Sequence, residues 1–507
     1  MIKKTQKVLY NAEIFSSEEE IIEADSVVIE DDSISWIGKF KDLNLSDFKR
    51  FEFIDCKNNS LLPGLIDSHL HFLAYATSLS ATDCSPEIVN SIEKLALNLK
   101  KHQSNNFWVR GFGYDESGLS EQRHPNRYDL DIYFPNNPVS IKHRSGHARV
   151  LNSKALEISG IDRSSIDPVD GIIQRDESGE LTGVFFEMDE YLDSKIPHIE
   201  TSELHKLIEH ANNKLLSYGI TTIHDCTVEN SLQRYQIFKE RQKYLKNKQI
   251  RMIFMPGINY FNDFLNHPNS DSFLAIGQVK IIQTNTTGVN APGLEDLNHL
   301  IKEVHNSNLS VAIHAVSTEL VFQAASAIYK NKYNRTCPLP DRIEHASESP
   351  ETIIRLIAKS NAHIVSNPSF LHSSGDRFIE TIAGADLDTL YPFKSILDNG
   401  IPLAFGSDAP ITDPNPFTGI HSAITRMAKS GHKINESESI GIDSAINGYT
   451  KNAANASNNM FQVGSIRKNS KADLILLNQN VRQIPIDELK NVHTELTLLN
   501  GEIVWSK

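Results

Sequence analysis

Apolar and polar residues alternate in one way in the middle of this chain and in another way at its ends. Between about residues 61 and 455, short apolar runs are separated by segments of helix length, such as 294–305 and 318–329. The runs are typical of buried parallel strands, and the segments are typical of helices that cover them. The clearest runs are residues 61–67, 220–225, 279–282, 310–314, 341–345, 363–366 and 401–408. Most end in a polar residue, which predicts an α/β fold and fits a TIM-like barrel with active groups at the carboxyl ends of its strands.

The two ends of the chain have the shorter period of antiparallel strands. Residues 7–55 contain alternating runs separated by polar turns, and residues 472–477 and 494–499 have the same character. Asn500-Gly501 then predicts a type I′ turn before a last strand. We therefore predict that residues 1–60 and 456–507 pair into one small β-domain, and that residues 61–455 form the catalytic barrel.

One stretch, at about residues 105–195, interrupts the rhythm of the middle region. Within it, residues 171–176 and 181–186 flank Ser178-Gly179, a pattern that predicts a β-hairpin. We interpret the stretch as a β-containing insertion near the mouth of the barrel that shapes a substrate pocket.

Composition narrows the classes of partner. Hydrophobic residues make up 39% of the chain, which suits a globular protein with a sizeable core. Lys and Arg number 50 against 64 Asp and Glu, so the net charge of −14 disfavours nonspecific attraction to nucleic acid or anionic membranes. The four cysteines form no C-x-x-C pair, and neither a signal core nor a spanning apolar segment is found. We expect a cytoplasmic protein with a small-molecule substrate and no nucleic-acid or membrane partner, and the sequence permits a homodimer.

Metal-ligating residue types recur at the ends of the predicted strands. His69-Leu70-His71 places two imidazoles two residues apart, where a strand would point both to one side. His314 and His345 end later runs, and Asp408 follows small residues in Phe405-Gly-Ser-Asp-Ala-Pro. Each histidine alone is more often an ordinary core or surface residue. The set in this order predicts a metal site.

The segment Leu62-Pro-Gly-Leu-Ile-Asp-Ser-His-Leu-His, with those later residues behind it, resembles the amidohydrolase superfamily. More narrowly, the chain is similar to the amidohydrolase 3 or YtcJ-like branch, which includes N-substituted formamide deformylases. The similarity to this branch rests on four segments: Trp108-Val-Arg-Gly-Phe-Gly-Tyr-Asp, the stretch that starts with Arg144-Ser-Gly-His-Ala-Arg, Thr182-Gly-Val-Phe-Phe-Glu and Gly406-Ser-Asp-Ala-Pro. The resemblance spans nearly the whole chain. It implies a metal-bearing (β/α)8 barrel with a small β-sandwich made from both chain ends.

The resemblance also implies metal roles. His69 and His71 with Asp408 would hold one divalent ion, and His314 with His345 would hold a second. We predict Zn²⁺, as one or two ions.

Lys280 matches the position where some members of the superfamily carry a carboxylated lysine that bridges two metals. An unmodified ammonium cannot ligate a cation, so this role requires carboxylation or deprotonation. The alternative is a salt-bridged lysine at the mouth. Many branch members continue this strand into an Asp-Gly turn, whereas this chain has Gln283-Thr-Asn-Thr-Thr-Gly288. The departure leaves the number of metals open.

The predicted chemistry is attack by a metal-activated water, with Asp408 as general base and then general acid. Asp408 could equally serve as a ligand, and the two roles are compatible. We also predict six residues that contact substrate. Each could instead be an ordinary surface residue, and His147 or His224 could instead be a partner of a metal ligand. The six residues are His147, His224, Arg110, Tyr114, Glu187 and His372.

We expect a hydrolase of carbon–nitrogen bonds other than peptide bonds, with a linear amide or an N-substituted formamide as substrate. A cyclic amide, an ester or a lactone is the alternative within the enzyme class. A noncatalytic ligand-binding or regulatory protein on the same fold is the alternative from another class. Motifs of serine hydrolases and of nucleotide-binding enzymes are absent from the sequence.

Overall fold

The structure, a computed structural model, describes most of the chain in two compact units. The described residues are 6–15, 23–44, 51–102, 108–168, 171–196, 200–245, 248–266, 271–285, 288–334, 337–382 and 384–507. The first unit consists of Met1–Phe72 and Asn212–Lys507, and the second unit consists of Leu73–Ala211. The second unit therefore extends beyond both ends of the predicted insertion.

Two parallel sheets carry the polar strand ends of the first unit. In spatial order, the four-stranded sheet contains Leu274–Ile276, Arg251–Phe254, Ile220–Asp225 and Leu65–Leu70. The five-stranded sheet contains Val279–Ile282, Val311–Ala315, Arg342–His345, His363–Ser366 and Leu403–Phe405. The apolar runs thus correspond to parallel strands, and two further strands, Arg251–Phe254 and Leu274–Ile276, were not predicted.

The apolar run 61–67 is not one strand, and this prediction was wrong. Ser60–Pro63 pairs antiparallel with Leu474–Leu477, whereas Leu65–Leu70 pairs parallel with Ile220–Asp225. Gly64 lies between them, and a Cβ there would meet the Thr221 Oγ1 at 2.2 Å, so the close approach of the two segments requires glycine.

Strands from both chain ends form two more sheets in the first unit. One contains Ser33–Gly38, Ser26–Glu30, Gln6–Tyr10 and Phe51–Asp55, and the other contains Glu13–Ile14, Ser60–Pro63, Leu474–Leu477, Thr494–Leu499 and Glu502–Ser506. Buried residues of both sheets, such as Leu9 and Leu498, belong to one hydrophobic cluster. Asn500 and Gly501 have φ of 50° and 74°, which confirms the predicted type I′ turn.

Helices follow most of the parallel strands. Leu294–Asn306 and Thr318–Asn331 confirm the two predicted helices to within two residues at their ends, and Leu297, Ile301 and Val304 are buried at helical spacing. The remaining α-helices are Phe72–Ser78, Ile92–Lys101, Arg127–Asp131, Ser153–Ser159, Asp189–Lys195, Thr201–Ser217, Leu232–Glu240, Gln242–Leu245, Glu351–Ser360, Ser369–Ser373, Gly375–Thr381, Gly384–Leu387, Phe393–Asp398, Pro416–Thr425, Ile442–Gly448 and Lys451–Asn455. Short 3-10 helices span Phe40–Asp42, Glu116–Gly118, Phe261–Phe264, Lys332–Asn334, Glu436–Glu438 and Ile486–Asn491. Among the described residues, none of the helices combines the length and apolar character that crossing a membrane requires.

A six-stranded mixed sheet organises the second unit. Its spatial order is Ile172–Arg175, Leu181–Phe186, Ala148–Leu151, Val139–His143, Val109–Tyr114 and Thr82–Asp83. The first two strands form an antiparallel hairpin, and Gly179 in the turn has φ of 81°. The predicted hairpin is confirmed.

Candidate metal centre

His69 and His71 lie at the carboxyl end of the strand Leu65–Leu70. His69 is the last but one residue of that strand, and His71 follows its end. The Nδ1 atom of His69 lies 2.5 Å from Glu344 Oε2, and the Nδ1 atom of His71 lies 3.2 Å from Thr227 Oγ1. Because both Nδ1 atoms are engaged, the Nε2 atoms are the ones that face Asp408, at 3.5 Å and 3.1 Å from its Oδ1.

His345 joins this group through an unusual backbone conformation. Its φ is 68°, so the strand Arg342–His345 ends in a left-handed residue, a conformation that costs energy and is often found at functional sites. The His345 Nδ1 lies 2.7 Å from Asn367 Oδ1, and the Asn367 amide nitrogen donates to the Gly406 carbonyl at 3.0 Å. The amide oxygen is therefore the acceptor for the His345 Nδ1–H. The Nε2 atom is left buried without a hydrogen-bond partner in the part of the chain that the structure describes.

Asp408 is held against His69 by backbone contacts. It has φ of 60°, and its N–H donates to the His69 carbonyl at 2.7 Å. A Cβ on Gly406 would lie 2.5 Å from the His69 backbone nitrogen, so only glycine permits this approach. Burial raises the pKa of Asp408, but hydrogen bonds from His69 and His71 outweigh burial and hold the pKa well below its usual value.

His314 completes the cluster of imidazoles. It lies on the strand Val311–Ala315, and its ring centroid is 4.5 Å from that of His345, which in turn is 4.7 Å from that of His69. Burial, reinforced by the neighbouring His345, lowers the pKa of His314 well below its usual value. Burial, reinforced by His69, lowers the pKa of His345 to about 3. Both rings are therefore neutral at pH 7, the state in which imidazole binds metal.

These residues fit a divalent cation. Donor atoms of His69, His345 and Asp408 lie within 4.8 Å of one another. The outer nitrogens of His69, His71 and His345 have oxygen partners, an arrangement that orients imidazoles toward a metal. Imidazole nitrogen together with carboxylate oxygen is a donor set that Zn²⁺ accepts.

Lys280 lies beside the same cluster. It belongs to the strand Val279–Ile282, and its side chain is buried. Its charge lowers the pKa of His314 and of His345. Nζ has no hydrogen-bond partner among the described residues, so the alternative of a salt-bridged lysine finds no acidic partner there. The loop that follows, residues 283–288, is the segment that differs from the Asp-Gly turn of the branch. Gln283 is buried, and residues 286 and 287 lie outside the described residues.

The sequence did not identify the side chains that contact the predicted ligands. Glu344, Asn367 and Thr227 engage the outer nitrogens of three histidines. One signal was available for the first of them. Arg342 and Glu344 are oppositely charged residues two apart on one strand, a spacing that places them on the same face and indicates an ion pair there.

Two of the predicted substrate residues, His224 and His372, belong to the first unit. His224 is fully buried, and its Nδ1 accepts from Arg342 Nη1 at 2.9 Å. Burial and the neighbouring Arg342 lower its pKa well below the usual value. A sealed position is a poor one for contacting substrate, and His224 instead supports the charged residues behind His69. His372 is half-buried on the helix Ser369–Ser373, and burial lowers its pKa.

The other four predicted substrate residues belong to the second unit. His147 Nδ1 and Glu187 Oε2 lie 2.9 Å apart, so these two do come together. Tyr114 is fully buried, which raises its pKa, and its hydroxyl hydrogen-bonds His124 Nδ1 at 3.0 Å. Arg110 lies over the Trp108 ring at 5.9 Å, and burial lowers its pKa.

A second cluster of histidine and carboxylate residues lies near Tyr114 in the second unit. His143 Nε2 is 2.9 Å from Glu116 Oε2, and His124 Nδ1 is 3.7 Å from the same oxygen. The His143 Nδ1 accepts from the Ser145 backbone N–H at 3.1 Å and lies 2.7 Å from the Ser145 Oγ, a hydroxyl that can also donate to it. Because a backbone N–H can only donate, the proton of a neutral His143 ring is on Nε2.

Comparisons with known families, sequences and structures each match nearly the whole chain. The profile of the amidohydrolase family matches residues 52–505. The chain is 26% identical to the YtcJ protein of Bacillus subtilis (strain 168), over 97% of this chain and 98% of that protein. It is 24% identical to the N-substituted formamide deformylase of Arthrobacter pascens, over 96% and 95% of the two chains. A crystal structure of an uncharacterized metal-dependent hydrolase from Pyrococcus horikoshii has the same fold, with a TM-score of 0.79 and 21% identity over 95% and 99% of the two chains.

Proposed function

The chain belongs to the amidohydrolase family and is a hydrolase, and from this premise we propose that it uses a bound divalent metal to cleave carbon–nitrogen bonds outside peptides. A linear amide or an N-substituted formamide is the proposed substrate. The observation that carries the proposal is the convergence of the Nε2 atoms of His69 and His71 on the Asp408 carboxylate.

The proposed ligand set is the one predicted from the sequence, and the contacts around His69, His71 and Asp408 support part of it. We assign His69, His71 and Asp408 to one ion and His314 with His345 to a second, with Zn²⁺ as the metal. The buried, unpartnered Nζ of Lys280 supports its carboxylation, because a carbamate would remove the cost of an unpaired buried ammonium and add a ligand. When bound, a divalent cation supplies the positive charge that makes a water acidic near neutral pH and polarises a carbonyl.

Asp408 carries the proposed proton transfer. An aspartate is ionised at neutral pH, and the Asp408 carboxylate lies 3.5 Å and 3.1 Å from the Nε2 atoms of His69 and His71, beside the proposed metal. It can therefore take a proton from the attacking water and deliver that proton to the leaving nitrogen. Its backbone N–H, bonded to the His69 carbonyl, keeps the carboxylate in register with the histidines during both steps.

Similarity along nearly the full length of the Arthrobacter pascens formamide deformylase supports the substrate class. An N-substituted formamide has a small acyl group and a basic leaving nitrogen, which matches a mechanism with proton delivery by Asp408. A cyclic amide, an ester or a lactone would respond to the same chemistry. A substrate panel decides among them.

We also propose that the parallel strands close into one (β/α)8 barrel, with Leu274–Ile276 and Val279–Ile282 as two parts of one interrupted strand, and that the terminal strands form a β-sandwich. Closure is supported by two links between the parallel sheets, the bridge between Gly257 and Lys280 and the hydrogen bond from Asp408 to His69. The hydrophobic cluster shared by the two terminal sheets supports the sandwich. We propose the predicted boundaries for the terminal β-domain and the barrel to within a few residues, whereas the second unit, Leu73–Ala211, is longer than the predicted insertion.

Elemental analysis joined to an activity panel tests the proposal. The purified protein and the double variant His69→Ala/His71→Ala are assayed for bound metal and for hydrolysis of N-formyl amines, N-acyl amines, cyclic amides and esters. We expect the wild type to carry Zn²⁺ and to release formate from an N-formyl amine, and the double variant to lose both properties. His493→Ala, which removes an exposed histidine bonded to Glu495, is the matched control and should retain both.

Two outcomes would contradict the proposal. Loss of metal without loss of turnover in the double variant would remove the metal from the mechanism. A metal-loaded wild type that hydrolyses nothing in the panel would favour the noncatalytic alternative. For Lys280, a Lys280→Met variant that binds as much metal as the wild type would exclude its role as a ligand.

A further inference from the structure

Glu344 is a buried carboxylate that contacts the metal centre without belonging to the predicted ligand set. Its side chain is fully buried, and its Oε2 lies 2.5 Å from His69 Nδ1. Arg342 donates to both of its oxygens, from Nε to Oε1 at 2.8 Å and from Nη2 to Oε2 at 2.9 Å. Such a bidentate pairing fixes the plane of a carboxylate as well as its charge.

The remaining donors of Arg342 anchor this ion pair to two other strands. Nη2 donates to the Ser68 carbonyl at 2.8 Å, and Nη1 donates to His224 Nδ1 at 2.9 Å. A guanidinium has no acceptor, so His224 must present an unprotonated Nδ1. The orientation of Glu344 is therefore set from behind by Arg342, which is itself held at Ser68 and His224.

We infer that Glu344 is a positioning residue that fixes His69 as the tautomer protonated on Nδ1. A carboxylate only accepts, so Glu344 holds a proton on the Nδ1 of His69, and Nε2, on the side where Asp408 lies, is the nitrogen that can give up its proton to bind a cation. Arg342 keeps Glu344 in the ionised, accepting state. The inference rests on the proposed function, because His69 needs a free Nε2 lone pair only if it is a metal ligand.

Glu344→Gln tests this role directly. An amide that keeps its oxygen toward Arg342 turns its NH₂ group toward His69, which favours the tautomer with the proton on Nε2. We expect the affinity for Zn²⁺ to fall about 10 to 100-fold, as for other outer partners of metal ligands. Competition with a chromogenic chelator measures this affinity, and the visible absorption of the Co²⁺-loaded protein reports altered ligand geometry independently of activity.

A second buried arginine–carboxylate pair in the same unit provides the matched control. Arg251 donates to both oxygens of Asp473, at 2.7 Å and 3.1 Å, and both side chains are 1% exposed. Asp473→Asn removes a comparable buried charge. It should lower the free energy of unfolding while leaving the Zn²⁺ affinity and the Co²⁺ spectrum as in the wild type.

The outcomes separate this inference from the proposed function. A wild type that binds no Zn²⁺ or Co²⁺ overturns the proposed function. A wild type that binds metal, with Glu344→Gln binding as tightly, overturns the inference alone. Should Glu344→Gln fail to fold, Glu344→Asp takes its place, since it keeps the charge beside Arg342 but draws the acceptor away from His69. An unchanged metal affinity in that variant overturns the inference too.

Discussion

Each unit contains a cluster of histidine and carboxylate residues. The two clusters contain similar groups, but the hydrogen bonds at the Nδ1 atoms of their histidines run in opposite directions. In the first unit, the Nδ1 atoms of His69 and His345 meet the oxygens of Glu344 and Asn367. In the second unit, the Nδ1 of His143 meets a backbone N–H. The outer partner is an acceptor in the first case and a donor in the second.

This difference decides which nitrogen is available to a cation. An imidazole whose Nδ1–H is donated presents a lone pair at Nε2, whereas one whose Nδ1 accepts carries its proton on Nε2. His143 therefore directs an N–H toward the neighbourhood of Glu116, as in an ordinary histidine–carboxylate contact. Short distances among histidines and carboxylates do not identify a metal site until the partners of the outer nitrogens are known.

Replacing one histidine in each cluster tests this comparison. Of all the tests, it has the largest expected effect. We expect His69→Asn to lower metal affinity by more than the roughly 10 to 100-fold typical of losing an outer partner, because it removes a ligand itself. His143→Asn should leave the metal content unchanged. Elemental analysis of both variants after dialysis measures the difference. Equal losses in the two variants would contradict the distinction between the clusters.

Asp408 and Glu116 extend the comparison from histidines to carboxylates. Asp408→Asn should reduce kcat by about 10² to 10⁴-fold, the range for loss of a general acid–base group. Glu116→Gln should leave kcat within a factor of about 2, since Glu116 takes no part in the proposed proton transfer. Steady-state kinetics on an N-formyl amine, with metal content measured on the same samples, checks both values. A similar fall in the two variants would place Glu116 in the reaction.

The proposed ligands stand out in the sequence because each one combines a residue type with a position at or near a strand end. His69, His314 and Asp408 all carry that local signature. Their supporting partners could not be found in this way. Asn367 and Thr227 are common polar residues whose role depends on which strands become neighbours.

His345 illustrates a second limit of sequence reasoning. In a regular strand, adjacent residues point to opposite faces, so Glu344 and His345 would not contact the same ring. The left-handed conformation of His345 turns the chain, and both residues reach His69. Such a backbone conformation in a residue other than glycine leaves no mark in the hydrophobic pattern.

The fold could be predicted to a similar extent and for similar reasons. Strong apolar runs identified most parallel strands, but a run cannot reveal that its two halves join different sheets, as at Gly64. Arg251–Phe254 was missed because its arginine interrupts the apolar pattern. The structure buries that arginine against Asp473.

Acid should destabilise the first unit through its buried neutral histidines. The pKa of His345 is lowered to about 3 from its ordinary value of 6.5 by burial and by His69. Between these values the unfolded chain binds a proton that the folded chain does not, so the free energy of unfolding falls as the pH decreases. The slope is about 1.4 kcal/mol per pH unit for each such histidine.

Urea denaturation of the wild type and His345→Asn, with a chelator present, measures this contribution between about pH 7 and pH 5. The variant should lose less stability than the wild type as the pH falls. Parallel curves for the two proteins would mean that His345 titrates normally in the folded state.

The smallest expected effect concerns the cluster of the second unit. Tyr114→Phe removes the hydroxyl that hydrogen-bonds His124 and should lower the free energy of unfolding by about 1 kcal/mol. Because this cluster is an ordinary hydrogen-bonded network, a double-mutant cycle with His124→Leu should recover a coupling of similar size, and metal content should stay constant throughout. Loss of metal in Tyr114→Phe would instead show that this cluster contributes to cation binding, and the contrast in histidine polarity would no longer distinguish the two sites.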